Sequence, residues 1–130
     1  MLRLVVAAGV MLALPTLALA QDAEAGKKLF AKCAPCHTVG EGAKIKPGAG
    51  GPPLNGLDGR AAGTFEGYSY SPKMKASGKT WDEATFKEYI TDPKKAIPGN
   101  KMGFNGLPDE LERDDIWAYL SQFGPDGKVK

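Results

Sequence analysis

The sequence predicts an all-α domain of several short helices joined by long loops, and three observations lead there. No stretch alternates β-branched residues over a usable length, so strands are not expected. Several short segments carry apolar residues at helical spacing between recognisable caps. Between them, 17 glycines and 10 prolines break the chain into loops that are too long for a compact domain unless they wrap something.

Residues 1–20 read as an export leader. Arg3 supplies a positive start, Leu4 to Leu14 is an uninterrupted apolar run, Pro15 breaks it, and Ala18-Leu19-Ala20 is a small-x-small cleavage site before Gln21. The run is shorter than the about 20 apolar residues a membrane span needs. An uncleaved N-terminal anchor is the alternative, and Pro15 and the cleavage site both argue against it. Removal after Ala20 leaves residues 21–130 as a single domain in the periplasm, an oxidising compartment. Without Arg3 the balance is 16 basic to 15 acidic residues, a net charge of +1, which excludes a strongly basic nucleic-acid binder.

Asp22 caps a first helix, "DAEAGKKLFAKC", with Leu29, Phe30 and Cys33 on its inner side. Residues 40–63 read as loop. "SPKMKASG" is a short helix with Ser71 as N-cap, Pro72 at N1 and Gly78 as its stop. "TWDEATFKEYITDP" opens on a Thr80/Glu83 capping box, presents Phe86, Tyr89 and Ile90 on one face, and ends at Pro93. "DPKKAIPGNKMGFNGL" reads mostly as loop. A last helix begins near Pro108, with Asp109, Glu110 and Glu112 at its positive end and Ile116, Tyr119, Leu120 and Phe123 as its stripe. Gly124 and Pro125 stop it.

"CAPCH", residues 33–37, holds both cysteines and the single histidine of the chain. A thioredoxin-like dithiol needs a preceding strand and βαβ units, and here a helix precedes it. A zinc site needs four ligands, commonly Cys and His, and the chain offers three, two of them adjacent. A disulfide across so small a loop would stabilise little and leave His37 unexplained. C-x-x-C-H is also the attachment signature of a c-type haem: Cys33 and Cys36 become thioethers and His37 is carried to the iron. A small, loop-rich domain needs such a filler for its core.

With one histidine, methionine is the usual partner for the second axial position. After leader removal only Met74 and Met102 remain. Met74 falls in a short helix, whereas Met102 lies in the loop "IPGNKMGF", from which a side chain can approach iron without breaking a helix. The pattern favours Met102; a methionine can also simply fill a core gap.

With these pieces in place the chain resembles the class I cytochromes c, of the soluble mitochondrial-like and bacterial cytochrome c2 type. The resemblance spans Asp22 to Phe123 and rests on "GKKLFAKCAPCHTV", "GPPLNGLDGRAAG", "GYSYS", "SGKTW", "YITDPKKAIPGNKMGF" and "ERDDIWAYL". It implies a small cytochrome c fold, wrapped round one covalently bound haem c, with His37 and Met102 as iron ligands. It further implies that the Pro52 carbonyl orients His37, that Tyr70, Trp81 and Arg60 serve a buried propionate, and that Tyr89 lies near the methionine sulfur. Gly26, Phe30, Ile116 and Tyr119 would form the crossing of the first and last helices. The chain departs from the mitochondrial pattern in a loop after His37 that is about three residues longer, in Met74 where an asparagine is frequent, in Pro53, and in Pro108 and Asp109.

Two protein ligands leave no open coordination site, so the resemblance implies a monomeric one-electron carrier of the respiratory or photosynthetic chain and not an enzyme. Its partners would be membrane complexes, namely the cytochrome bc1 complex and a terminal oxidase or photosynthetic reaction centre, or else a periplasmic dehydrogenase. They would dock through a lysine face made of Lys27, Lys28, Lys32, Lys94, Lys95 and Lys101, with acids gathered away from it in Asp109 to Asp115. The competing reading is a haem c enzyme or gas sensor with an open sixth site and peroxidase-like activity. Met102 discriminates between the two.

Overall fold

The structure, a computed structural model, describes residues 8–12, 21–48 and 50–130. Most of the expected leader, residues 1–7 and 13–20, lies outside the described residues. Among the described residues no helix is long and apolar enough to cross a membrane. The elements are α1 (Ala23–Leu29), which runs into a 3-10 turn (Phe30–Lys32), then α2 (Pro72–Lys75), α3 (Glu83–Thr91), α4 (Pro93–Ala96) and α5 (Glu110–Leu120). Pairing of β type among the described residues is limited to two isolated bridges, Ala61 with Thr80 and Phe123 with Val129.

The helix starts follow side-chain chemistry. The Asp22 carboxylate accepts from the Glu24 and Ala25 N–H groups, and Ser71 Oγ accepts from Met74 N–H, so two of the expected caps are in place. The third differs. The cap of α3 is Asp82, whose carboxylate accepts from Thr85 N–H at 2.8 Å, and not Thr80. Thr80 is committed elsewhere: it sits in the bridge to Ala61, flanked by Trp81 N–H donating to Arg60 O and Ala62 N–H donating to Lys79 O, each at 2.8 Å. That extended backbone delays the helix by two residues.

The stretch after α3 is also more ordered than expected. Asp92 is at once the end of α3 and the N-cap of α4, accepting from Lys95 N–H at 3.2 Å, with Pro93 at N1. Proline therefore ends one helix and begins the next. At α5 the cap is Asp109, one residue past Pro108, and the helix stops at Leu120. Phe123 lies beyond it, and its ring meets Tyr119 at 5.3 Å. Trp117, outside the expected stripe, is buried against Phe86 with ring centroids 5.2 Å apart.

The principal helix–helix contact is α1 against α5, with α3 against α5 next. Gly26 sets the first. A Cβ there would overlap the Asp115 carbonyl oxygen and lie 2.8 Å from Tyr119 Cβ, so the two backbones touch as only glycine permits. Phe30 packs on Tyr119 at 5.7 Å, Asp22 N–H donates to the Asp115 carboxylate at 2.8 Å, and Lys32 pairs with Glu112 at 3.2 Å. Leu57, Trp81, Tyr89, Ile90, Leu107, Ile116 and Leu120 belong to one buried cluster, and all of them also wall a cavity.

Candidate haem site

The cavity holds about 150 Å³ and is mostly apolar. A single water needs on the order of 10–15 Å³ by the same measure, so the space suits a large apolar group. All nine residues singled out from the sequence line it: Cys33, Cys36, His37, Pro52, Arg60, Tyr70, Trp81, Tyr89 and Met102. They come from the α1 end, the Gly/Pro-rich loop, the region around α2, the start and face of α3, and the loop after α4. Met74 lines it as well.

The attachment motif follows directly from α1. Ala34 and His37 donate their N–H groups to Phe30 O and Cys33 O, so the chain continues in turns that carry both thiols and the imidazole to the cavity. Burial raises the Cys33 thiol pKa to about 11, with nearby Lys32 pulling it down and Cys36 pushing it up. A reactive dithiol requires the opposite, a thiolate stabilised near neutrality. Cys33 is thus protonated at neutral pH, which disfavours the oxidoreductase reading.

His37 Nδ1 lies 2.8 Å from the Pro52 carbonyl oxygen. The carbonyl can only accept, so Nδ1 carries the proton and Nε2 keeps its lone pair for a metal. Burial lowers the His37 pKa; the Pro52 carbonyl opposes this, and the Arg60 charge adds to it. Both geometry and burial favour the neutral imidazole that ligation needs. Gly51 is what lets the ring lie there. A Cβ at Gly51 would overlap His37 Cε1 and stand 2.8 Å from Nδ1. Gly51 N–H also donates to Cys36 O at 2.6 Å, which ties this loop to the attachment turn.

On the methionine side, Tyr89 Oη donates to Met102 Sδ at 3.3 Å. The Tyr89 hydroxyl pKa is raised to about 12, by burial first and by Tyr68 second, so it stays a protonated donor. Trp81 is buried with its ring 5.1 Å from that of Tyr89. Tyr70 Oη accepts from Phe65 N–H at 3.1 Å, which leaves its own O–H to donate. Arg60 donates to the Pro53 and Asn55 carbonyls at 2.9 and 3.2 Å, and its guanidinium lies 5.5 Å over the Phe65 ring. It braces the loop that presents Pro52. Two contributors escaped the sequence reading. One is Gly51. The other is Asn100, whose Oδ1 accepts from Met102 N–H at 2.8 Å. An asparagine two residues before the methionine is the spacing of an Asx-turn, a signal available in the sequence.

The residues fit an iron porphyrin. Two thiols at the attachment spacing, a neutral imidazole with Nε2 unprotonated and a thioether sulfur all face one large apolar cavity. No group of three or more His, Cys, Asp or Glu side chains suited to a free metal ion occurs among the described residues.

Comparisons with known proteins agree with this reading. A sequence model of the cytochrome c family, described as "Cytochrome c", matches residues 23–123. The chain is similar to cytochrome c2 of Rhodoplanes tepidamans, 63% identical over 110 residues that cover 85% of this chain and all of that one. It is 60% identical to cytochrome c-550 of Nitrobacter winogradskyi over 109 residues, covering 84% of this chain and 97% of the relative. Among solved structures, cytochrome cH from Methylobacterium extorquens superposes with a TM-score of 0.69 at 46% identity, over 77% of this chain and 97% of that one. The chain therefore belongs to the cytochrome c family, as an electron carrier with a covalently bound haem c and not as an enzyme.

Proposed function

We propose that the carrier holds its haem through thioethers at Cys33 and Cys36 and ligates the iron with His37 and Met102. The observation that carries this is the pairing of two oriented donors on one cavity: His37 with Nδ1 on the Pro52 carbonyl, and Met102 with its sulfur under the Tyr89 hydroxyl. The haem supplies one iron that exchanges a single electron between ferrous and ferric states. Pro52 fixes the tautomer and orientation of His37. Tyr89 fixes the rotamer of Met102. Tyr70 and Trp81 offer polar hydrogens toward a propionate, and Arg60 offers positive charge beside them. With His37 and Met102 both holding the iron, the site would leave no place for a substrate. The test is carbon monoxide added to the reduced protein and cyanide added to the oxidised one at neutral pH. We expect no carbon monoxide complex, and cyanide binding far slower than at an open-site haem; rapid binding of either ligand would overturn the His/Met assignment.

Residues 1–20 are proposed as a leader cleaved after Ala20, which puts residues 21–130 in the periplasm as one monomeric domain. The family match beginning at residue 23 is consistent with that division. Carriage of electrons to membrane redox complexes follows from the kinship; the finer proposal is that cytochrome bc1 complex, terminal oxidase, photosynthetic reaction centre or a periplasmic dehydrogenase docks at a lysine face. The side-chain contacts divide that face. Lys101 Nζ donates to Ser69 O at 2.9 Å, and Lys32 is paired with Glu112. Exposed Lys27, Lys28, Lys94 and Lys95 carry neither contact, and Lys101, bonded to a neutral carbonyl, keeps its charge, so Lys32 is the member whose charge is offset. Lys94→Gln with Lys95→Gln is expected to slow association with an acidic partner complex by roughly 3- to 10-fold at low salt and to flatten the salt dependence. Stopped-flow electron transfer at several ionic strengths checks it, and an unchanged rate and slope would remove these two lysines from the docking face.

A further inference from the structure

We infer that Asn100 is the positioning residue that holds Met102 at the iron and so keeps the sixth site closed. The inference rests on the reading of Met102 as an axial ligand. Among the described backbone–backbone hydrogen bonds outside helices, none has a donor or acceptor between 101 and 106, while Asn100 N–H donates to Ile97 O and Leu107 N–H donates to Ile90 O at the two ends. Gly99 and Gly103 add freedom within the loop. Side chains must therefore hold the methionine. Tyr89 bonds the sulfur and Lys101 Nζ bonds Ser69 O, but among the described residues only Asn100 bonds the Met102 backbone.

Its amide uses both ends. Oδ1 accepts from Met102 N–H at 2.8 Å, and Nδ2 donates to Pro93 O at 2.7 Å and to Ile97 O at 2.8 Å. Pro93 is fully buried at the head of α4, so the chain of contacts runs from a fixed point in the core, through one half-buried amide, to the ligand's own backbone. Cyanide can bind ferric iron only after Met102 leaves it. The cyanide rate thus reports how often the loop opens, and it does so below any global unfolding.

The experiment measures cyanide binding to the ferric holoprotein, together with its denaturant midpoint, for wild type, Met102→Ala, Asn100→Ala and Asn100→Asp. Asn100→Asp has the same shape and keeps the acceptor for Met102 N–H, but it cannot donate to the Pro93 and Ile97 carbonyls, and it carries the test if the alanine variant does not fold. We expect Asn100→Ala to bind cyanide about ten- to a hundredfold faster than wild type while still showing methionine ligation at rest, with Asn100→Asp also accelerated. Rates within twofold of wild type for the Asn100 variants, beside a fast Met102→Ala, would overturn the inference alone. A wild-type rate for Met102→Ala would overturn the ligand reading and the inference together.

Discussion

Met102→Ala is expected to convert a low-spin, six-coordinate haem spectrum into a high-spin or water-ligated one and to lower the reduction potential. The sulfur is the one soft donor held at the cavity by an oriented hydroxyl, at 3.3 Å from Tyr89 Oη. Thioether ligation raises the potential because it stabilises ferrous over ferric iron. Alanine removes the sulfur and leaves space for water or an added ligand, so the variant should also bind carbon monoxide when reduced. Met74 provides the control. It lines the same cavity from α2 and is half-buried, and Met74→Leu keeps its volume. That variant should retain the wild-type spectrum. The two roles would be exchanged if Met74→Leu, and not Met102→Ala, changed the spin state. Absorption spectra and redox titration of the two variants decide it.

This result would also bear on the family's division of labour. A carrier with both axial positions filled has no place for a substrate, so opening one position in this chain turns its inertness into a measurable property. In the proposed site, Met102 comes from a loop whose middle, among the described residues, makes no backbone–backbone hydrogen bonds and is held by side chains.

The parts of this site legible in the sequence are those whose chemistry is local. Cys33, Cys36 and His37 fall within five residues, and cap residues such as Asp22 and Ser71 act on neighbours two or three positions away. The Pro52 carbonyl and the Tyr89 hydroxyl became legible only through resemblance, since each reaches its target across the fold. Gly51 was missed because one glycine among 17 carries no mark of the ring pressed against it. The misplaced start of α3 has a similar cause. Thr80 and Glu83 make a sound capping box, but a bridge to Ala61 outweighs it, and that bridge joins residues 19 positions apart. Arg60 shows the converse: the resemblance implies a role beside a propionate, and nothing in the sequence pattern tells that its Nη1 hydrogens also hold two carbonyls of the loop behind His37.

Gly26→Ala should cost the holoprotein about 2–4 kcal/mol. On propensity alone the change ought to help, because glycine in a helix is about 1 kcal/mol less favourable than alanine. Packing reverses the sign. The new Cβ would overlap the Asp115 carbonyl oxygen and stand 2.6 Å from its carbon and 2.8 Å from Tyr119 Cβ. Two of these obstacles are backbone atoms inside α5, so no rotamer change relieves them. The helices must part instead, and the contacts that depend on their closeness weaken together: the Phe30–Tyr119 rings, the Asp22 N–H to Asp115 bond and the Lys32–Glu112 pair. Overpacking of a tight contact costs about 1–3 kcal/mol and more where backbone must move, which exceeds the propensity gain. For a domain of this size the midpoint of thermal unfolding should fall by roughly 10 °C or more. Lys28→Ala, on the exposed side of the same helix, should stay within about 0.5 kcal/mol of wild type. Guanidinium unfolding of the two holoproteins side by side gives the comparison. Equal midpoints would mean that α1 and α5 can separate at no cost, and the crossing would then lose its place as the joint that holds both ends of the chain around the haem.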